Sequence, residues 1–208
     1  MRTKIIALAL LVGVCALYTP AAFADSATSG QYTVQAQVGA GLTFNVELKK
    51  NDYNGATVQS MNFGQLADLG SNTLRSDPAG TTGTGAVDVF LSANTHSIPY
   101  IIKQTGTALT KTGGSAFLPH GACVVTPVYA AADNGGAAIP AGASLGTAGT
   151  WVATDKPLYT SEGAGSTRVI QAFYSITDDP AAGSTDFVPL SQEAGTYTAN
   201  VTFTVVTT

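Results

Sequence analysis

The sequence predicts an all-β sandwich, and three observations carry that prediction. Apolar residues recur with a period of two over Tyr32–Leu48 and again over Tyr197–Val205, which puts them on one face of an extended strand. The 23 glycines and 9 prolines of the 208-residue chain fall largely between such runs, as turn residues do in sandwiches built of short antiparallel strands. No stretch sustains an apolar period of 3.6, and Gly64 to Leu69 could form at most a single turn.

The first residues read as a leader. Arg2 and Lys4 precede an apolar run from Ile5 to Tyr18, followed by Pro20 and the small-residue site Ala22-Phe23-Ala24. That order describes a secretory signal peptide, residues 1–24, cleaved after Ala24. The run is shorter than the roughly 20 residues a spanning helix needs. Cys15 offers the alternative of a lipid anchor, but Val14 stands where a small residue is expected. The remaining 184 residues hold 7 Lys/Arg against 13 Asp/Glu, a net charge of −6. An acidic chain without a basic cluster excludes nucleic acid and anionic membranes as expected partners. Charged residues make up only 11% of the whole chain, well below the usual quarter, and Gly, Ala, Thr and Ser take their place.

The alternation from Tyr32 to Leu48 covers seventeen residues. Fully extended it would reach roughly 56 Å, whereas a strand in a compact domain rarely exceeds about ten residues. It is expected either to bend between sheets within one complete sandwich or to lie partly outside its own domain. Asn51-Asp52-Tyr53-Asn54-Gly55 follows as a turn carrying the Asn-Gly pair of tight hairpins. Val58 to Leu66, Ala86 to Leu91 and Ile98 to Lys103 read as strands, with a Gly/Thr loop at Pro78 to Gly85. Ala116 to Tyr129 contains Pro119 and Pro127, which suggests an edge or bent strand. Ala130 to Thr150 reads as a long surface loop that can hold short strands. Strand character resumes at Trp151 to Ala153, at Arg168 to Thr177 and at the C-terminus, where Tyr197, Ala199, Val201, Phe203 and Val205 share one face. One core is expected, with no repeat and no linker.

The segment Ala194-Gly195-Thr196-Tyr197-Thr198-Ala199-Asn200-Val201-Thr202-Phe203-Thr204-Val205 resembles the last strand of bacterial fimbrial subunits. It looks closest to the spore coat protein U-like pilins of the archaic chaperone–usher class. Asn62-Phe63-Gly64 is similar to the Phe-Gly after their first turn region. Val87 to Leu91 with Pro99-Tyr100-Ile101-Ile102 is similar to their central strand pair. The resemblance implies an immunoglobulin-like sandwich that lacks a strand and is completed by donor-strand exchange. It implies an N-terminal extension, residues 25–39, ahead of a pilin-like domain at 40–208. Tyr32, Val34, Ala36 and Val38 would be the donor side chains, and Gly39 and Gly41 the junction. Leu42, Phe44, Val46 and Leu48 would open the subunit's own core. Tyr197, Ala199, Val201, Phe203 and Val205 would border the groove and face a chaperone during export. The implied partners are like subunits in a homo-polymer, a periplasmic chaperone, an outer-membrane usher and a host or surface receptor. The implied location is the periplasm in transit, then the cell surface. The other reading of the chain is a complete, monomeric sandwich acting as an adhesin or carbohydrate-binding module.

Catalytic and metal motifs are weak, and neither an enzyme nor a cofactor is expected. With Cys15 in the leader, Cys123 is alone, and its neighbours Ala122, Val124 and Val125 favour burial over an intermolecular bond. His120 stands three residues before Cys123, a spacing open to metal binding or nucleophile chemistry, but a buried thiol beside a loop histidine is the plainer reading. Asp178, Asp179 and Asp186 suggest calcium or, with Pro180 among them, a solvated turn. Trp151, with Tyr159 and Tyr174 nearby in sequence, is either core or a sugar-stacking platform.

Overall fold

The computed structural model describes residues 26–30, 33–35, 42–50, 57–58, 60–68, 70–76 and 87–208. The strands in chain order are β1 (Ser26–Gly30), β2 (Thr33–Gln35), β3 (Thr43–Lys50), β4 (Thr57–Val58), β5 (Ala67–Asp68) and β6 (Thr73–Arg75). Then come β7 (Val87–Asn94), β8 (Tyr100–Gly106), β9 (Thr110–Lys111), β10 (Cys123–Tyr129), β11 (Ser144–Leu145) and β12 (Gly149–Thr150). The last are β13 (Lys156–Thr160), β14 (Arg168–Ile176), β15 (Val188–Pro189), β16 (Tyr197–Thr198) and β17 (Val201–Thr207). Among the described residues the helical elements are three single turns of 3-10 helix.

Two six-stranded antiparallel sheets form the body, with orders β11-β13-β8-β17-β1-β2 and β12-β10-β14-β7-β3-β4. The expected all-β sandwich is what the chain forms. Inward positions alternate as the period of two requires: Tyr100, Ile102 and Gln104 on β8, Ile170, Ala172 and Tyr174 on β14, Val201, Phe203 and Val205 on β17. Each large apolar side chain taken from water contributes about 1.5–3 kcal/mol.

The long N-terminal alternation is not one strand. Thr33–Gln35 lies in the first sheet and Thr43–Lys50 in the second, so the chain changes sheets between Gln35 and Leu42. Leu42 and Phe44 are buried, and Val46 and Leu48 pack half-buried against the core, as expected of the opening strand. Gly39 and Gly41 lie outside the described residues. The C-terminal alternation also breaks. Tyr197–Thr198 pairs with β9 as a separate small sheet, and only from Val201 does the chain join β8.

Two expectations are corrected in detail. Ala116 to Tyr129 yields β10, which has neighbours on both sides rather than lying wholly at an edge. Its outer partner β12 reaches only Val124 and Val125, so Pro127 falls where no ladder bond is asked of its missing N–H. Trp151 to Ala153 is a bend after β12, not a strand. The Ala130–Thr150 loop does hold short strands, β11 and β12.

A buried amide joins the two sheets. Gln104, 1% exposed, occupies an inward position of β8. Its Oε1 accepts the Tyr174 hydroxyl proton, and its Nε2 donates to the Trp151 carbonyl at 2.9 Å. Gly106, two residues on, has no room for a side chain, because a Cβ there would stand 2.4 Å from that same Trp151 oxygen. Tyr174→Phe leaves the Gln104 oxygen buried without a donor and should cost about 1–3 kcal/mol. A urea midpoint equal to that of the wild type would contradict this.

Two ion pairs fasten the loops. Asp178 accepts from the Thr73 hydroxyl at 2.6 Å and from Arg75 at 3.2 Å. The Thr73 hydrogen bond, with Ser71 and Arg75 and against the opposing effect of burial, holds its carboxyl below the usual range. Burial pushes Glu162 up, but Ser166 and Arg168 more than offset it and leave the carboxyl low. Both folded values lie below the unfolded ones, so both groups stabilise the fold at neutral pH. That contribution drains away as pH falls from the ordinary carboxylate range through the lowered folded values. Asp178→Asn and Glu162→Gln should each be less stable than the wild type at pH 7, and the difference should shrink as the pH is lowered through the carboxylate range. Thermal unfolding followed by circular dichroism over a pH series below 7 checks this, and a difference independent of pH would contradict it.

Candidate functional site

The last strand is the centre of the candidate site. β17 pairs with β8 along its whole length, from Val201 opposite Gly106 to Thr207 opposite Tyr100. Its other edge is taken by β1, antiparallel, with Ser26 opposite Val206 and Ser29 opposite Phe203. β1 also approaches β3, so it occupies the side of the sandwich between the last strand of one sheet and the first core strand of the other. Without β1, the backbone groups of β17 along this edge would be open to another strand.

β1 is therefore the described segment on the β17 edge, and Val34, the one expected donor residue among the described residues, is not on that edge. Val34 lies in β2, which pairs with β1 alone, with Gly30 opposite Thr33 and Thr28 opposite Gln35. Tyr32, Ala36 and Val38 lie outside the described residues. Of the groove residues, Val201, Phe203 and Val205 are buried inward-facing members of β17. Tyr197 and Ala199 leave that sheet and line a cleft beyond its start.

The cleft has a volume of about 820 Å³. It is bordered by Ser60–Leu66 and by 192–199, and closed by Leu109, Leu118, Trp151, Val188 and Val201. The Phe63 ring sits 5.0 Å from that of Trp151, which packs at 5.3 Å on Tyr174. Among the described residues the buried indole Nε1–H of Trp151 has no hydrogen-bond partner, an uncommon state for a buried donor. Gln192 donates to the Tyr197 hydroxyl at 2.8 Å, Tyr197 donates to the Glu193 carbonyl at 2.6 Å, and the Glu193 carboxylate pairs with Lys111. These contacts hold the 192–197 border in place. β16 pairs with β9 on one side, and among the described residues no strand pairs with its other side.

The β1–β17 register points into this cleft. Carried on straight, it would set Tyr32 opposite Asn200, Val34 opposite Thr198, Ala36 opposite Thr196 and Val38 opposite Ala194. Six of the cleft's lining residues, Ala194 to Ala199, belong to that stretch. Sequence reasoning missed the cleft because its floor gathers residues from five separate segments. The Phe63-Gly64 pair and the Tyr197/Ala199 alternation were its only legible parts.

The remaining candidates resolve into structural roles. Trp151 is 1% exposed, and Tyr159 and Tyr174 are fully buried, so the sugar-stacking platform is overturned. Cys123 is buried and its thiol is pushed up to about 12 by burial, while His120 is exposed beside Phe117. Asp178 serves Thr73 and Arg75, Asp179 caps a 3-10 turn through the Ala181 N–H, and Asp186 accepts from the Phe187 N–H. Among the described residues no group of three or more His, Cys, Asp and Glu side chains could hold a metal ion. In the native protein Cys123 should not react with Ellman's reagent at pH 8, and one equivalent should appear on unfolding. Rapid native labelling would contradict its burial. Compared with protein-family models, curated proteins and solved structures, the chain matches none.

Proposed function

We propose that the chain is a non-enzymatic, exported subunit of a surface fibre or coat that polymerises by lending its N-terminal segment to a neighbour. The observation that carries this reading is the position of β1 on the open side of the sandwich, antiparallel to β17. A strand added there gains main-chain hydrogen bonds from the edge and side-chain packing from alternate residues. The cleft beyond β17, with its apolar floor of Leu109, Leu118, Trp151 and Val188, supports the reading further. The same register would bring Tyr32, Val34, Ala36 and Val38 alongside it. Those residues are the strongly alternating ones, whereas β1 itself is Ser-Ala-Thr-Ser-Gly.

On this reading the immunoglobulin-like sandwich is incomplete without a strand beside β17. A periplasmic chaperone would cover that edge during export and an outer-membrane usher would order the exchange, the arrangement the C-terminal resemblance implies. The mature chain would begin at Asp25 and end at the cell surface. A receptor would be engaged by the assembled fibre.

Val34→Arg and Val38→Arg test the assignment, because each would bury an unpaired charge against the neighbour. The wild type should give a ladder of oligomers on an unheated denaturing gel that collapses on boiling. Each variant should give at least tenfold less. Undiminished ladders in both variants would remove the donor assignment. A wild-type chain that stays monomeric at every concentration would favour the complete, monomeric sandwich instead.

A further inference from the structure

We propose that the two ends of the sandwich meet head to tail in the fibre: the apolar rim of the cleft on one copy seats against the far end of the next. This rests on the polymer reading above and adds a junction made wholly by the folded domain.

Three observations carry it. First, the exposed large apolar side chains gather at the two ends. Among the described residues there are six, each 39–55% exposed: Phe117, Phe187 and Leu190, and Ile98, Val128 and Ile139. The first three rim the cleft. Leu118 and Leu190 line it, and Gln192 donates to the Phe117 carbonyl at 3.3 Å. The Thr185 N–H donates to the Gly121 carbonyl at 3.2 Å, which joins the two rim segments. Ile98 lies in the turn between β7 and β8, Val128 is the last residue but one of β10, and Ile139 stands in the loop before β11. That is the end away from the cleft, where Thr207 of β17 faces Tyr100 of β8. Clustered exposed apolar groups mark interaction sites, whereas scattered ones do not.

Second, both ends are nearly free of charge. No Asp, Glu, Lys or Arg occurs from Thr112 to Ala132 or from Phe187 to Gln192 at the rim side, nor from Thr95 to Pro99 or from Asn134 to Ala143 at the other. Bringing these segments together desolvates no ion, and the centres of protein interfaces are depleted of charge in the same way.

Third, the ladders give the ends a direction. β1 runs towards the cleft end of β17, whereas β3 opens the core at the far end, with Thr43 opposite Asn94. Lent along the same path, β1 would point the neighbour's cleft end at the far end of the subunit that lends it. The occupant of the rim is therefore a second copy, and the contact is heterologous. Two different patches meet, so the contact repeats along a fibre instead of closing on itself.

Charge substitutions in the full chain test the pairing. Phe117→Lys with Phe187→Lys marks the cleft end, Ile98→Glu with Ile139→Glu marks the far end, and a third chain carries all four. Each two-substitution chain should need a concentration about tenfold higher, or more, before polymer sediments, because it sets charge against an apolar surface. The four-substitution chain should recover most of that loss at low salt and lose it again as salt is raised, because every head-to-tail junction then sets Lys against Glu. Its recovery would also show that the substitutions leave the domain folded. Two-substitution chains that assemble like the wild type would overturn the junction and leave the polymer reading standing. A four-substitution chain that assembles no better than the other two would overturn the head-to-tail pairing, since contacts between like ends would set Lys against Lys and Glu against Glu. A wild type that forms no polymer at any concentration would remove the polymer reading and the junction with it.

Discussion

The fold depends on covering one strand edge. β17 is the last strand of the chain and the fourth in its sheet, and its inward residues Val201, Phe203 and Val205 are part of the core. A core strand cannot be left with a bare ladder of N–H and C=O groups without inviting another chain. Here the covering element is the earliest described segment, and it has almost no apolar content of its own. Main-chain pairing has to do the holding, and main-chain pairing is indifferent to which copy of the chain supplies it. That indifference links the architecture of the monomer to its proposed role as a repeating unit.

The floor of the cleft depends on a second arrangement, the Gln104 amide. By bonding both the Tyr174 hydroxyl and the Trp151 carbonyl it ties β8, β14 and the bend after β12 into one block. Trp151 is thereby held between Phe63 and Tyr174, and Gly106 leaves the space its backbone needs. The core of the sandwich and the wall of the candidate site are thus the same set of side chains. A buried amide bonded at both its oxygen and its nitrogen selects one packing among many that an apolar core would tolerate.

Period-two alternation made the sandwich legible. It located the opening core strand at Leu42–Leu48 and the inward face of β17, because burial on one face leaves its mark on every second residue. It could not show where a strand changes partners. The alternation at Tyr197–Val205 is unbroken in sequence, yet Tyr197 and Ala199 serve the cleft and only Val201 onward serves the sheet. In the same way Val34 and Phe44 share one periodic run but belong to different sheets. Gln104 was invisible for a different reason. A polar residue at an inward position is justified only by partners far away in sequence, one of them a main-chain carbonyl. The prolines of Ala116–Tyr129 suggest an edge or bent strand, and of the two only Pro127 lies within β10, beyond the reach of the short β12.

That shortness has a consequence at the far side of the molecule. Opposite β17, the sheets are finished by β11 and β12, each only two residues long, and Pro127 interrupts the ladder where β12 ends. β12 covers only Val124 and Val125 of β10, and β11 only Tyr159 and Thr160 of β13. In the proposed fibre, the β17 flank would carry both the acceptor edge and the donor segment. Chains of such subunits would be linear and polar, each one pointing from its donor end to its acceptor end.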